Sequence, residues 1–376
     1  MEFTIEKSDL LKELNLVQGV VEKKNTIPIL SNLLIESDGT ERVTILGTDL
    51  DVSLRTMATA TVTEEGAMVV SARKLFDIVR SLPDAPIHFR HESNDWVQIE
   101  CERSKFRVVG QAREHFPAVP EWGAAQYRIP SDVLRTLINR TIFAITQEES
   151  RYTLNGALFR LQGADVRMVA TDGHRLAYVE RTGLQTSANG KQKEDAEEVK
   201  ALIPKKTLAE LLRLAADHDD LVEFARDENH LFFRFGPRVL VSRMLSGQFP
   251  NYELVMPKDN DRAVKVEAGI FQSAIRRVAL MADERSHAIK FIFGPERLDI
   301  TSQSSEVGEA KESLQTDYEG PDVSIGFNAQ YLSEFLNVAG DGAVRFEFKD
   351  GQSQAQLCPE EGDEYDYRYV VMPMRL

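Results

Sequence analysis

The chain has 376 residues, of which 42% are hydrophobic and 28% charged, as is typical of a folded globular protein rather than a disordered one. Its net charge of −15 argues against a protein that attracts nucleic acid through its overall field. Two cysteines without a CxxC pair, and no long apolar run, give no signal for a disulfide framework, a metal site or a membrane span. We therefore expect a cytoplasmic protein of two or three domains without a cofactor.

Amphipathic helices alternate with β-like segments three times along the chain. The first helix of each set is predicted to begin near Ser8, Ser131 and Glu267, the first two with residues suited to an N-cap. β-like sequence follows at 43–54, 166–179 and 297–307. A second helix with apolar residues spaced i, i+3, i+4, i+7 completes each set: Leu75, Ile78, Val79 and Leu82; Leu208, Leu211, Leu212 and Ala215; Leu332, Phe335, Leu336 and Ala339.

This pattern has a period of about 120–137 residues, which indicates a threefold domain duplication rather than a solenoid. Proline-bearing segments near 115–126 and 248–261 separate the repeats. We accordingly predict domains over residues 1–122, 127–252 and 253–376.

The most conspicuous short string is ATDGHRLA, residues 170–177. His174 oriented by Asp172, with Arg175 as an anion clamp, would suit general-base chemistry in a cytosolic hydrolase or transferase. The sequence carries no accompanying nucleophile motif or glycine-rich phosphate loop, and Asp-Gly is also a strong turn signal. Catalysis, a plain turn and a binding surface all remain open, and we favour the binding surface.

Basic residues lie off the apolar faces of the predicted helices. Such residues are ordinarily solvated. Spread over three repeats, they also suit diffuse contact with DNA phosphates without reading of bases. The set comprises Arg73, Lys74, Arg80, Arg135, Arg140, Lys205, Lys206, Arg213, Arg276 and Arg277.

Five strings together resemble the family of bacterial DNA polymerase III β subunits, the β sliding clamps: TIPILSNLLIE, LNGALF, ATDGHRLA, GQFPNYELVMP and the final YVVMPMRL. The resemblance implies an α+β fold of three clamp domains, each with two helices backed by β-sheets, closing as a homodimer into a six-domain ring. It implies a processivity factor without catalytic activity, cofactor or metal that encircles duplex DNA. The implied partners are the polymerase III catalytic subunit, the clamp loader complex, and other polymerases and repair proteins. A basic lining inside an acidic outer surface would reconcile DNA binding with the net charge.

The resemblance also implies a pocket between the second and third domains for client peptides of the Gln-Leu-x-Leu-Phe type. The matching positions are Leu154, Thr171, Gly173, His174, Arg175, Leu176, Pro250, Leu254, Val255, Val370, Val371, Met372, Pro373, Met374, Arg375 and Leu376. Leu254 stands where relatives often carry a basic side chain, and the acidic segment 359–366 is longer than expected. Both features are expected to affect the choice of client.

Two further sets of contacts follow from the resemblance. Lys24 matches a basic residue that contacts DNA. At the dimer interface, Phe106 and Val108 are expected to meet Leu280 and Met281, while Arg103 and Lys105 are expected to meet Glu306 or Glu309. The remaining rival to a clamp is a generic peptide-binding scaffold that does not hold DNA.

Overall fold

The computed structural model describes residues 1–21, 27–148, 150–187, 198–216, 218–305, 307–361 and 364–375. The α-helices in these ranges are α1 Lys7–Val17, α2 Ala72–Ser81, α3 Ser131–Asn139, α4 Lys205–Ala215, α5 Ala268–Ala279 and α6 Ala329–Leu336. The strands are β1 Glu2–Glu6, β2 Asn32–Asp38, β3 Arg42–Thr48, β4 Val52–Thr59, β5 Thr61–Glu64, β6 Ala67–Ser71, β7 Pro86–His91, β8 Trp96–Cys101, β9 Ser104–Gln111, β10 Tyr127–Pro130, β11 Gly156–Gln162, β12 Asp165–Thr171, β13 Arg175–Arg181, β14 Val199–Pro204, β15 Leu221–Arg226, β16 His230–Phe235, β17 Arg238–Arg243, β18 Arg262–Glu267, β19 Ala288–Gly294, β20 Arg297–Ser304, β21 Gly308–Gln315, β22 Val323–Asn328, β23 Ala343–Phe348, β24 Ala355–Pro359 and β25 Tyr365–Val371.

All six predicted helices are present, and the three predicted apolar stripes are buried except at Ile78 and Leu212, which are half-buried. In α2, for example, Leu75 and Val79 are buried while Arg73 and Arg80 are exposed. The predicted N-cap of the first helix is wrong, because α1 begins at Lys7 and its N-cap residue Glu6 makes no side-chain capping bond.

The strands form three sheets within two compact units. The first unit comprises Met1–Asp132 and Lys206–Met244 with a short piece that begins at Thr186. It holds a 13-stranded sheet in the order β10-β15-β16-β17-β4-β3-β2-β6-β9-β8-β7-β1-β5. The second unit comprises Val133–Gln185 and Leu245–Leu376 with the segment that ends at Lys205. It holds an 8-stranded sheet in the order β14-β11-β12-β13-β25-β24-β23-β18 and a 4-stranded sheet in the order β21-β20-β19-β22. The central repeat therefore contributes strands to both units.

Within the first unit, strands that are far apart in sequence are joined by main-chain and side-chain bonds. β17 pairs antiparallel with β4, with Leu240 opposite Leu54. Arg238 of β17 donates two hydrogen bonds, of 2.9 and 2.6 Å, to the carboxylate of Glu13 on α1. Both side chains are buried, and Thr56 of β4 also donates to the same carboxylate. Removal of either partner would leave the other charge buried and unpaired, which lowers the free energy of unfolding.

The pairs Thr48-Asp49 and Thr171-Asp172, at the ends of β3 and β12, form two turns with the same hydrogen bonds. After β3, the Leu50 amide donates to Thr48 Oγ1 at 3.0 Å and the Val52 amide donates to Asp49 Oδ1 at 2.7 Å. The turn that follows β12 is built by Thr171 and Asp172 in the same manner. The segment 43–54 is thus a hairpin rather than a continuous strand. This shared turn supports the internal duplication.

Candidate peptide-binding site

The ATDGHRLA string forms the turn between β12 and β13, and its polar side chains hold that turn. Thr171 Oγ1 donates to the carbonyl of Arg175 at 2.6 Å and accepts from the Gly173 amide at 3.1 Å. Asp172 Oδ1 accepts from the amides of His174 and Arg175 at 2.9 and 3.1 Å. Gly173 has a φ of 89°, a region that residues with a Cβ rarely adopt. The turn is therefore rigid, and the His174 side chain is exposed at its tip.

Arg175 lies beneath this turn rather than on the surface. It is 8% exposed, and its guanidinium donates to Asp172 Oδ2 at 3.0 Å, to Glu334 of α6, and to the Phe143 carbonyl at 2.7 Å. The same group lies over the Tyr331 ring, 4.3 Å from its centroid. The prediction that Arg175 acts as a free anion clamp is wrong, because its donors are already used. Its role is to position the turn against α6.

The general-base hypothesis finds no support in this geometry. Asp172 uses Oδ1 for two backbone amides and Oδ2 for Arg175. Among the described residues, it makes no hydrogen bond to the imidazole of His174. A general base needs an oriented imidazole, so the Asp172 and His174 pair lacks the arrangement that catalysis would require.

The apolar tail is attached to this turn by its main chain. β25 pairs with β13 along its full length and ends at Val371, opposite Arg175. Beyond β25, the Met372 amide donates to the His174 carbonyl at 2.9 Å, and the Met374 amide donates to the Gly326 carbonyl at 2.8 Å. The tail is therefore fixed at two points, and Met372, Pro373 and Met374 are half-buried beside the turn.

The residues just before the tail belong to the core. Tyr369, Val370 and Val371 are at most 1% exposed. The Tyr369 ring stacks on Phe335 with centroids 4.9 Å apart, and its hydroxyl donates to the Tyr331 carbonyl at 2.9 Å. Burial raises the pKa of Tyr369, and the nearby Arg175 partly opposes that rise. Val370 and Val371 therefore belong to the buried core rather than to an exposed surface.

A hydrophobic cluster lies next to the tail, and we call it the tail cluster. Its buried members are Val169, Leu176, Tyr178, Leu202, Phe249, Tyr252 and Val370. Five partly buried residues pack against them: Leu154, Leu158, Leu245, Val255 and Met256. Incompletely covered apolar side chains of this kind favour binding of another apolar group.

The structure brings part of the predicted pocket together. Leu154, Leu176, Val255 and Val370 share the tail cluster, and the turn from Thr171 to Arg175 is joined to the tail through the bond from Met372 to His174. Pro250, Leu254 and Arg375 are exposed, and Leu254 is the most exposed large apolar side chain of the described ranges at 78%. Leu376 lies outside the described residues.

Sequence reasoning missed several members of this site, Tyr178 and Tyr252 among them. Tyr178 donates to Glu180 Oε2 at 2.6 Å, and burial together with this bond raises its pKa. Arg167 donates to the same carboxylate and, at 2.8 Å, to the Tyr252 hydroxyl. A signal for Tyr178 existed, since strand alternation places it on the same face as Leu176. No sequence pattern connects Tyr252 to Arg167, which is 85 positions away.

The predicted DNA-facing residues differ in how far their charges are neutralised. Three of them form ion pairs within the chain: Lys206 with Asp49, Arg213 with Glu210 at 2.8 Å, and Arg277 with Glu312 at 2.7 Å. Arg276 donates a hydrogen bond to the Asn337 side chain at 2.9 Å. The Arg140 guanidinium lies 4.9 and 5.0 Å from the ring centroids of Tyr365 and Tyr367. Burial, followed by the charge of Arg175, lowers the pKa of Lys205. Arg135 is half-buried, whereas Arg73, Lys74 and Arg80 are exposed on α2. Lys24 lies outside the described residues.

The predicted interface residues lie on or beside two strands, β9 and β21. Each of these strands has an edge that is unpaired among the described residues. Among the described strands, β9 pairs with β8 alone over residues 104–109, and β21 is the last strand of its sheet. Phe106 and Val108 are half-buried, and Leu280 is 74% exposed. Met281 is half-buried, while Arg103 and Glu309 are exposed. Lys105 is bonded to Glu100 of its own chain at 2.9 Å, and Glu306 lies outside the described residues. Sequence reasoning missed Val109 and Val307, which are 65% and 54% exposed.

The described ranges contain no group of three or more His, Cys, Asp or Glu side chains placed to hold a metal ion. Across the same ranges, no helix is both long enough and apolar enough to cross a membrane.

Comparison with known proteins gives matches along the whole chain. Family models described as the N-terminal, central and C-terminal domains of the DNA polymerase III beta subunit match residues 1–120, 128–251 and 253–375. The beta sliding clamp of Pseudomonas aeruginosa is 37% identical, and that of Escherichia coli K12 is 32% identical, each with 100% of both chains covered. A crystal structure of the Pseudomonas aeruginosa DNA polymerase III subunit beta matches with a TM-score of 0.92 at 36% identity, again over 100% of both chains.

Proposed function

Because the chain belongs to the family of DNA polymerase III beta subunits, the bacterial sliding clamps, we propose that the tail cluster and its turn form the pocket for client proteins. Members of this family are non-catalytic processivity factors, and this chain is accordingly a DNA sliding clamp rather than an enzyme. Its clients are the polymerase III catalytic subunit, the clamp loader complex, and other polymerases and repair proteins. We place its activity in the cytoplasm, away from membranes.

The observation that carries the pocket proposal is the fixation of the tail at two main-chain bonds. The bond from Met372 ends on His174, two residues before Leu176 of the tail cluster, and the bond from Met374 ends on Gly326. Burial of one client leucine or phenylalanine there is worth roughly 1.5–3 kcal/mol. Flexible methionine side chains also suit a surface that accepts several partners in turn.

The pocket is tested by two variants and a fluorescent peptide of the Gln-Leu-x-Leu-Phe type. A chain that ends at Val371 should lose peptide affinity by about 100-fold, because two apolar client contacts are removed. Met374→Ser keeps the main-chain bond to Gly326 and should lose about tenfold through the side chain alone. Leu221→Ala, at a 48% exposed leucine on β15, is the control and should bind as the native chain does. Undiminished affinity in the truncated chain would refute the pocket.

Ring closure is the second part of the proposal. Two protomers join head to tail by pairing the open edge of β9 with the open edge of β21, which satisfies the main-chain groups that an edge strand exposes. Phe106 and Val108 then cover Leu280. Leu280→Asp should convert a dimer to monomers at micromolar concentration in analytical ultracentrifugation. Leu221→Asp makes the same chemical change at another exposed leucine and should remain dimeric. A native chain that is monomeric at this concentration would exclude the ring.

Retention on DNA depends on topology in this proposal, with only weak help from Arg73, Lys74, Arg135 and Arg276. Contacts to phosphate lose strength steeply with salt, whereas a closed ring does not leave a circle. Loaded protein should therefore stay on nicked circular DNA in high salt and leave after the circle is cut. Equal loss from both forms would favour the peptide-binding scaffold that does not hold DNA.

The hydrolase alternative is settled by a separate measurement. His174→Ala should change no hydrolase activity, since Asp172 does not orient the imidazole. Any activity that disappears with the histidine would contradict a purely non-catalytic clamp.

A further inference from the structure

The junction of β4 and β17 in the first compact unit repeats the main-chain frame of the proposed client pocket. A Thr-Asp turn precedes β4 as it precedes β13, and β17 pairs antiparallel with β4 as β25 pairs with β13. The Arg243 amide donates to the Asp51 carbonyl at 2.8 Å, just as the Met372 amide donates to the His174 carbonyl at 2.9 Å. The first unit therefore contains a structural counterpart of the site in the second unit.

This counterpart holds a cavity of about 220 Å³. Arg55 of β4, together with Val239 and Val241 of β17, forms one side of the lining, and Val119 and Trp122 from the segment between β9 and β10 also line it. The cavity is smaller than the roughly 300–1,000 Å³ of sites that enclose a whole small molecule. It therefore suits one apolar side chain of a larger partner.

An aromatic ring forms part of the cavity wall. Trp122 is half-buried and packs against a small apolar cluster that includes Phe232 and Val241. Its ring meets the Phe232 ring edge-on, with centroids 6.5 Å apart, and the Arg234 guanidinium lies 5.7 Å from the Trp122 centroid. These contacts fix the ring while part of it stays uncovered, and a fixed indole offers a large apolar surface to a ligand.

The charge of the cavity differs from that of the proposed client pocket. Arg55 is the third residue after Val52 on β4, the position that Tyr178 holds after Arg175 on β13. Arg55 is half-buried, and its guanidinium makes no hydrogen bond and no ion pair within the residues that the structure describes.

The cavity also has an acidic lining residue, Glu121. It is exposed, and none of the ion pairs of the described residues joins it to Arg55. A partly desolvated guanidinium with free donors favours a ligand carboxylate, which can accept two of its hydrogen bonds at once. The ligand that fits this lining therefore combines an apolar side chain with a carboxylate.

We propose that this cavity binds a short extended segment of a partner protein in which an acidic residue stands beside an aromatic one. The aromatic side chain packs on Trp122 and the valines, and the carboxylate accepts hydrogen bonds from Arg55. The choice of a peptide rests on the proposed function, because the same main-chain frame forms the client pocket there. The choice of an acidic peptide rests on Arg55 alone. One chain can then hold two partner segments of different sequence at the same time.

The proposal is tested by fluorescence anisotropy with the full-length chain and a fluorescein-labelled peptide that has Asp-Phe at its centre and Gly-Ser flanks. An excess of unlabelled peptide of the Gln-Leu-x-Leu-Phe type fills the tail cluster during the titration. Arg55→Gln should weaken binding of the Asp-Phe peptide about tenfold, because a charged hydrogen bond is lost. Trp122→Ala should also weaken it about tenfold, through lost apolar contact. The matched control is Arg42→Gln, at an exposed arginine of the neighbouring strand β3, which should change affinity by less than about twofold.

A second labelled peptide, with Asn-Phe at its centre, isolates the charge without any change to the protein. The native chain should bind it about tenfold more weakly than the Asp-Phe peptide. Arg55→Gln should weaken it no further, because the interaction that the arginine makes is already absent. The comparison of the two peptides on the native chain stays decisive even if a variant fails to fold.

Three results would overturn the proposal. Equal native affinity for the two peptides, or no saturable binding at millimolar concentration, would show that Arg55 recognises no carboxylate. An equal effect of Arg42→Gln and Arg55→Gln would show that only general charge attracts the peptide. Displacement of the Asp-Phe peptide by the Gln-Leu-x-Leu-Phe peptide would place it in the tail cluster. Failure of the proposed client pocket is a separate result, since the chain that ends at Val371 should bind the Asp-Phe peptide as the native chain does.

Discussion

Replacement of Arg175 by methionine is the strongest single test of how the site is built. Methionine roughly preserves the length of the side chain but removes every donor, which leaves the carboxylates of Asp172 and Glu334 without their cation. Their side chains are 12% and 28% exposed, and the arginine side chain is 7% exposed. Loss of one partner of a buried ion pair costs about 3–5 kcal/mol. Because Glu334 retains partial access to water, we expect about 3 kcal/mol for Arg175→Met.

Hydrogen exchange followed by mass spectrometry provides the assay, since the chain has two compact units and one urea midpoint would not separate them. Amides of β13 and α6 should exchange through an opening that is about 100-fold more frequent in Arg175→Met. The control is Arg42→Met, at a surface pair with Asp38 whose side chains are 56% and 43% exposed. Such pairs contribute only about 0.2–1 kcal/mol. A loss in Arg175→Met no larger than in this control would refute the claim that Arg175 organises the turn.

Two further predictions concern the turn glycine and the thiols. Gly173→Ala should destabilise the second unit by more than Gly163→Ala does. Both alanines would carry roughly 1–2 kcal/mol of strain from a positive φ. Only the added Cβ at position 173 would meet another atom, Arg151 Nη1 at 2.9 Å. Equal losses of unfolding free energy would mean that this close approach carries no cost. Burial raises the pKa of both thiols, Cys101 and Cys358, so at pH 8 each has less thiolate than an ordinary cysteine. Because the thiolate is the reactive form, the rate of alkylation should keep rising with pH above the usual thiol pKa. Iodoacetamide should therefore label both slowly in the native chain and quickly in urea, and rapid native labelling of either would contradict its burial.

The sequence predicted elements well where the signal was local. Apolar spacing located the second helix of each repeat, because a helix must bury one stripe and that stripe recurs every three or four residues, while the first helix of each repeat was located by its start. The β-like sequence at 43–54 was also recognised, and the structure resolves it into a hairpin whose turn is held by Thr48 and Asp49. The start of α1 was misjudged because Ser8 suits an N-cap in isolation, and helix ends are weakly specified by single residues.

The site was predictable only in part, because its polar contacts are long-range. Arg175 was singled out, yet its partner Glu334 lies 159 positions later, and no local pattern announces that pair. The same reason explains the basic residues of α4 and α5, since Lys206 and Arg277 turned out to have carboxylate partners at Asp49 and Glu312. Resemblance to a family supplied what periodicity could not, namely that the apolar tail and a turn about 200 residues earlier belong together.

The pairing of β17 with β4 limits how this protein can be dissected. In a fragment of residues 127–252, the β17 edge from Val239 to Ser242 would lose its partner strand β4. The Arg238 guanidinium would also lose the carboxylate of Glu13. An exposed edge of this kind recruits other chains, so such a fragment should aggregate rather than behave as an autonomous module. The chain has three clamp segments, but the sheet that the first and the central segment share makes each of these two depend on the other. Deletion of residues 1–122 should therefore prevent the central segment from folding, although its own sequence is unchanged.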